Sequence, residues 1–486
     1  MSTLENRTES GSIKPGILHI GVGNFHRAHQ AFYTNALLEF EDQANWGICG
    51  VSLLPSDKKT VDGLRQQNLA YTVTVCGRDG IDKVYESGAI KELIAGYEDP
   101  KAVIAKIAAE SIKIITLTIT EGGYNLDKQT GDFVLSNEAI QHDLENPGSP
   151  KTVFGFVAEG LRARKKLGKG GLTILSCDNL QHNGNTAKKA FTAFIAAQDS
   201  ELAAWVGQNV TFPNSMVDRI TPATTEQDKE RLNRNSGIND QAPVYCEDFI
   251  QWVIEDNFIA GRPAWERVGV EFTDDVSAFE NMKLSLLNAS HTLLSYPAFL
   301  KGYRAVDQAM QDPDIVTFVR NFMDIDVTPY VQVPEGTDLD EYKQILVERF
   351  SNRAVSDQVS RLCFDGISKF PVYIMPNLLH MIRDGKDLTR VAFLIAAYRH
   401  YLKYLVDETG QTYQIAEPWL TTEDKQVIAS EIPNRFLELS AFKSLDLKSS
   451  AEFARLFAKF VKEIKEEGVS RVLQTVLIKT ESFQLN

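Results

Sequence analysis

The chain has 486 residues, is 43% hydrophobic and 24% charged, and carries a formal net charge of −14. That length exceeds what one hydrophobic core holds, so two domains of an ordinary globular protein are expected. The acidity argues against a nucleic-acid-binding surface, which needs clustered Lys and Arg. The five cysteines, Cys49, Cys76, Cys177, Cys246 and Cys363, form no CxxC pair and are odd in number. That spacing points away from a disulfide framework and from a zinc site, so no metal is expected. The opening MSTLENRTESGSIKPG is polar and lacks the apolar run of a secretory signal. The longest apolar stretch, around Val391–Tyr398, is too short to span a bilayer. A cytoplasmic protein with no membrane partner is expected.

In chain order, Ile17–Ile20 reads as a short buried strand ending at Gly21, and Ala28–Phe40 as the helix that follows. Trp46–Leu54 is a second strand. Tyr71–Cys76 alternates with period two, and the GRDG turn at Gly77–Gly80 leads to another strand near Val84. Ala102–Ala109 reads as helix, Lys113–Thr120 as a β-branched strand, and Leu172–Cys177 as a further buried strand. Strands alternating with helices predict an α/β domain with a parallel sheet over residues 1–275. From about Val276 the periodicity becomes helical, predicting a mostly α-helical domain over residues 276–486. Phe453, Leu456, Phe457, Phe460, Val461 and Ile464 fall on one helix face, and Leu388–Val406 reads as a buried helix.

The segment LHIGVGNFHRAHQ sets Gly21 and Gly23 between the first strand and a helix. Gly21 permits a tight turn, Gly23 permits close approach of a pyrophosphate, and the helix start with Asn24 and Phe25 would receive it. His26 stands where dinucleotide-binding turns carry a third glycine. An acidic residue binding the adenosine ribose is expected after the second strand, and Asp57 is the candidate. The other reading of Asp57 is a helix N-cap.

Glu280, Lys283, Asn288 and His291 lie in one helical segment, ENMKLSLLNASH. Ideal α-geometry spreads them over an arc of about 140° and roughly 16 Å of axis. The opposite side carries Met282, Leu286 and Leu293. Removing hydride from a secondary alcohol requires a base for its hydroxyl proton. A lysine can serve if burial or a nearby cation lowers its pKa. Amide NH₂ groups can stabilise the developing alkoxide. The plain alternative is an amphipathic helix with a solvated polar side. Two further segments are chemically loaded. Asp178-Asn179 follows a strand end, where open α/β sheets bind ligands, and Asp218-Arg219 sets opposite charges in an apolar run. A structural salt bridge is the simpler reading of Arg219.

Together with WGICGV, LTITEGGYN, SCDNLQHNG, MVDRITP and DGISKFP, these stretches resemble the polyol-specific long-chain dehydrogenases (the mannitol dehydrogenase family) over nearly the whole chain. The Lys-x4-Asn-x2-His spacing is the most specific. The resemblance implies a Rossmann-type N-terminal domain, a mostly helical C-terminal domain, an NAD or NADP cofactor, no metal, and mannitol and fructose as the substrate pair. It implies Lys283 as general base, Asn179 and Asn288 as the amides at the substrate oxygen, and His291 as a substrate-positioning residue. Glu280 becomes a carboxylate in proton exchange with solvent, Asp218 a supporting acid, and Arg361 and Lys369 the residues holding distal hydroxyls. NAD-preferring relatives carry two acidic residues after the second strand. Here Ser56-Asp57 precede Lys58 and Lys59, so NAD is expected and NADP not excluded. Two alternatives stand beside this: a hexuronate reductase of the same family, and a noncatalytic nucleotide-binding sensor.

Overall fold

The computed structural model describes residues 13–127, 130–355 and 357–484, so the polar residues 1–12 lie outside the described residues. Two compact units are present, Met1–Ser277 and Ala278–Asn486.

The first unit is organised by a six-stranded sheet. Its spatial order is Ile90–Ala95, Gly47–Ser52, Pro15–Ile20, Ile114–Leu117, Leu172–Ser176 and Val210–Thr211. Every pairing in it is parallel. Numbered by sequence within this sheet, the order is 3-2-1-4-5-6, that of dinucleotide-binding doubly wound folds. The switch point, where ligands bind in such sheets, falls between Pro15–Ile20 and Ile114–Leu117. The central strands are buried along their length, which is why they read as unbroken apolar runs. Two three-stranded sheets complete the unit. One places Tyr71–Cys76 between Val244–Glu247 and Asp82–Ser87, and the GRDG turn closes its antiparallel hairpin. The other places Gln251–Glu255 between Glu271–Thr273 and Ser215–Asp218.

The helix expected over Ala28–Phe40 is present as Gln30–Leu37, and a separate short helix, Asn24–Ala28, precedes it. The break is at His29, whose backbone leaves helical values at φ −119° and ψ −85°. Its ring stacks on Phe25 and meets the edges of Tyr33 and Trp252, while Nε2 donates to the Gln251 carbonyl at 2.8 Å. An inward-turned imidazole thus overrides the helical periodicity.

The second unit is helical around one apolar core. Thr389–Tyr404 is buried along nearly its whole length and packs against Ala289–Leu300 and Ala451–Glu467. All six apolar positions predicted to share one face of the latter helix are buried. Inside this core, Arg390 donates through Nε and Nη2 to the two oxygens of Asp326, both at 2.6 Å. Removing the arginine would strand a buried carboxylate, a loss of about 3–5 kcal/mol. Among the described residues, no helix is long and apolar enough to cross a membrane, and no group of His, Cys, Asp and Glu could hold a metal ion.

Candidate active site

The glycine turn is built by two glycines under different constraints. Gly21 has φ +102°, and a Cβ there would overlap the Thr118 carbonyl at the end of the neighbouring strand. Thr118 Oγ1 donates to the Gly21 carbonyl at 2.7 Å, fixing the turn to that strand. Gly23 is different: a Cβ would meet nothing nearer than the Gly21 carbonyl at 3.9 Å. Its missing side chain therefore serves open space, the room a pyrophosphate needs. Asn24 has its side chain committed, accepting from Arg27 Nη2 at 2.7 Å and reaching the Pro222 carbonyl at 3.4 Å. Asn24 and Phe25 thus offer backbone rather than the Asn24 amide.

His26, in the third glycine slot, is wholly buried and stacks on His19 of the first strand at 3.3 Å between ring centroids. The close helix–strand approach usual with glycine becomes an imidazole stack. His19 bonds Thr116 Oγ1 at 2.8 Å and the Gly21 carbonyl at 2.9 Å, so the pair also supports the turn. Burial holds His26 neutral, down to about 3. Asp57 heads the helix Lys58–Gln66, but its carboxylate makes no capping bond to it. That removes the N-cap explanation and leaves a half-buried acid whose pKa burial raises.

At the ends of the next two strands, Asp178 is buried and accepts from Thr120 N–H at 2.8 Å, Ile119 N–H at 3.1 Å and Tyr124 O–H at 2.7 Å. Burial outweighs these bonds and pushes it up to about 6. Asn179 follows, half-buried. Asp218 ends its strand and is buried. Arg219 donates to the Ala28 carbonyl at 2.6 Å and the Glu247 carbonyl at 3.1 Å, and lies over the Phe32 ring. Its role is to tie backbone segments together.

In the second unit, Lys283–Asn288 forms a π-helical turn between the α-helices Ser277–Met282 and Ala289–Leu300. Its bonds run from i to i+5, so the residue five further on returns close to the side of the first. Lys283 and Asn288 are five apart. The roughly 140° that separates them in an ideal α-helix is largely closed. Glu280 precedes Lys283 by three and His291 follows Asn288 by three, each about 60° away in α-geometry. The four groups therefore line one face. It is not a solvated face: Glu280, Lys283 and His291 are at most 9% exposed, and every residue of Ala289–Leu300 is buried. Asn288 Oδ1 is buried without a hydrogen-bond partner.

His291 packs on Phe350 at 4.2 Å between centroids. Burial takes it down to about 3, opposed by Asp357 and reinforced by Arg361, Arg349 and Lys369. Arg361 and Lys369 are thus brought near His291, but both have protein partners. Arg361 is bidentate on Asp357, and Lys369 Nζ donates to the carbonyls of Leu362 at 3.0 Å and Arg361 at 3.3 Å. Arg349, Asp357 and the Asp178 clamp were not singled out by sequence reasoning. Of these, only Asp357 carries a sequence signal, its i, i+4 spacing to Arg361.

The sheet order and glycine turn define a Rossmann-type nucleotide-binding protein extended by a helical unit. The chain belongs to the mannitol dehydrogenase family, whose Rossmann domain matches residues 15–267 and whose C-terminal domain matches residues 275–465. It is 42% identical over 463 residues to the polyol:NADP oxidoreductase of Gluconobacter oxydans, covering 95% of each chain. It is 37% identical over 458 residues to the D-mannonate oxidoreductase of Escherichia coli, covering 93% of each. Its structure matches the ternary complex of Pseudomonas fluorescens mannitol 2-dehydrogenase with NAD and D-mannitol at a TM-score of 0.89. That match has 44% identity over 97% of this chain and 96% of the other.

The two glycines separate folding from binding. Gly21→Ala is expected to lower the melting temperature markedly, since it combines an overlap with a disfavoured φ. Gly23→Ala is expected to melt within about 2 °C of wild type, since a ΔΔG near zero leaves Tm almost unmoved, while NADH binding by fluorescence titration weakens at least tenfold. Equal NADH affinity in Gly23→Ala and wild type would remove the turn from the binding site.

Proposed function

We propose that this protein is an NAD-dependent, metal-independent oxidoreductase interconverting D-mannitol and D-fructose. One observation carries the reading: the buried face of Glu280, Lys283, Asn288 and His291 on the π-turned helix. It occurs in a chain that shares 44% identity with a mannitol 2-dehydrogenase.

Gly21, Gly23 and the backbone of Asn24 and Phe25 are assigned to the cofactor pyrophosphate, and Asp57 to the adenosine ribose. The cofactor, when bound, supplies the hydride acceptor or donor. Lys283 takes the C2 hydroxyl proton during oxidation and returns it during reduction. Asn179 and Asn288 donate to the oxygen as its charge develops, Glu280 passes the proton between Lys283 and solvent, and Asp218 supports the site. Neutral His291 holds a neighbouring hydroxyl, and Arg361 and Lys369 face the distal ones. NAD is favoured over NADP because Asp57 would repel a 2′-phosphate. Lys58 is paired with Asp62 at 2.9 Å and Lys59 with Glu226 at 3.7 Å, which offsets their charge. Acidity and five buried free thiols support a cytoplasmic setting without nucleic-acid or membrane partners.

A second reading, reduction of a hexuronate, draws on the E. coli relative and the cations around His291. The bidentate Asp357 already compensates Arg361, which favours a neutral polyol over a carboxylate. Initial rates with NAD and NADP, on mannitol and fructose against mannonate and fructuronate, decide between them. We expect kcat/KM for fructose to exceed that for fructuronate by about a hundredfold, the scale of one desolvated charge pair. The reverse ratio contradicts the mannitol assignment.

His291 yields a pH prediction. With its pKa taken down to about 3, it is neutral on both sides of the usual histidine range near 6.5. His291→Asn should raise KM for mannitol about tenfold, the scale of one lost hydrogen bond. The shape of the kcat/KM profile between pH 5 and 8 should not change. An inflection near 6.5 that disappears in the variant would show that His291 titrates.

A further inference from the structure

Two loops leave the carboxyl ends of adjacent strands, Ile114–Leu117 and Leu172–Ser176. The first contains Thr120, whose φ of +66° and ψ of +162° lie in a region essentially reserved for glycine. A threonine persists there only when its surroundings over-determine it. The Thr120 N–H donates to Asp178 Oδ1 at 2.8 Å, while Ile119 N–H and Tyr124 O–H fill Oδ2. Tyr124 is bound in turn to Ser176 Oγ at 2.5 Å. The backbone of the second loop is fixed just as firmly. The Asp178 carbonyl accepts from Leu180 N–H at 2.9 Å and from Asn183 Nδ2 at 3.1 Å, and Asn183 is tied to Ser215 in both directions. Both the side chain and the peptide of Asp178 are therefore held, one residue before Asn179.

We infer that Asp178 is a positioning residue for Asn179: its buried carboxylate clamps the strained Thr120 loop and so sets where the Asn179 amide stands. The inference rests on the reading of Asn179 as an amide at the substrate oxygen. A carboxylate suits the task because three donors converge on it. An asparagine would offer one oxygen and turn an NH₂ toward N–H or O–H groups.

The test is a set of variants of the full chain, assayed for mannitol oxidation with NAD. Asp178→Asn should lower kcat by about ten- to hundredfold, the range that an ångström of misplacement produces. KM and NADH affinity should stay within about threefold, since the turn and the Lys283 face are untouched. Adding Thr120→Gly to Asp178→Asn should recover at least a third of the lost activity on a logarithmic scale, because glycine adopts φ +66° without a clamp. Tyr124→Phe, which removes one donor and no charge, should lower kcat about threefold and serves if Asp178→Asn fails to fold. Asn179→Ala is the control. If it matches wild type, the role of Asn179 fails and the inference with it. If Asn179→Ala is impaired while Asp178→Asn, or in its place Tyr124→Phe, keeps wild-type kcat, the role of Asn179 stands and the clamp is overturned. Failure of Thr120→Gly to restore any activity also overturns it.

Discussion

Lys283, Asn288 and His291, proposed as proton acceptor, amide donor and hydroxyl-holding imidazole, lie along one helical segment. An α-helix cannot bring residues five apart onto one face, because its 3.6-residue turn sets them about 140° apart. The π turn at Lys283–Asn288 removes that obstacle by widening a single turn. On either side the chain returns to α-geometry, so Glu280 and His291 fall into line at i, i+3 spacings. A π turn holds its backbone less favourably than the α-helix around it. This one lies within a dense core of the second unit and packs against a second π turn, Phe322–Val327. That turn carries Asp326, which Arg390 anchors to the central helix Thr389–Tyr404.

The first unit meets a different constraint with similar means. A dinucleotide needs backbone to approach it closely, which requires glycine where strand passes into helix. Gly21 is forced by the Thr118 carbonyl, whereas Gly23 leaves room. The third position shows that close packing is only one solution, since His26 stacks on His19 and keeps both rings out of water. Nearby, Thr120 and Asp178 combine an unfavourable backbone with a buried carboxylate that holds it. Gly21 and Thr120, both at positive φ, follow the ends of the adjacent strands Pro15–Ile20 and Ile114–Leu117.

Most of the fold was legible because burial leaves a strong periodic trace. The strand at Tyr71–Cys76, the hairpin after it and the apolar face of Ala451–Glu467 all follow from spacing alone. The helix expected from Ala28 starts instead at Gln30, because the buried His29 breaks the helical run just before it. The candidate site residues were named from the sequence without the geometry in which they stand. A π turn has no composition signature, so Lys283 and Asn288 were placed on ideal α-geometry, about 140° apart. Arg349 left no trace in the sequence, and Asp357 only its i, i+4 spacing to Arg361, because their meaning comes from electrostatic contact with His291 between segments distant in sequence. Asp57 allowed two readings from sequence, and its carboxylate makes no capping bond.

Lys283, presented by the π turn five residues before Asn288, is the proposed base. The most direct measurement is single-turnover hydride transfer from mannitol in Lys283→Ala, followed by the rise of NADH absorbance, with and without a small primary amine in the buffer. The account predicts a rate lower by about 10²–10⁴-fold, the usual contribution of a positioned acid–base group, with NADH affinity unchanged and partial recovery by the amine. A variant that transfers hydride at more than a tenth of the wild-type rate would contradict it.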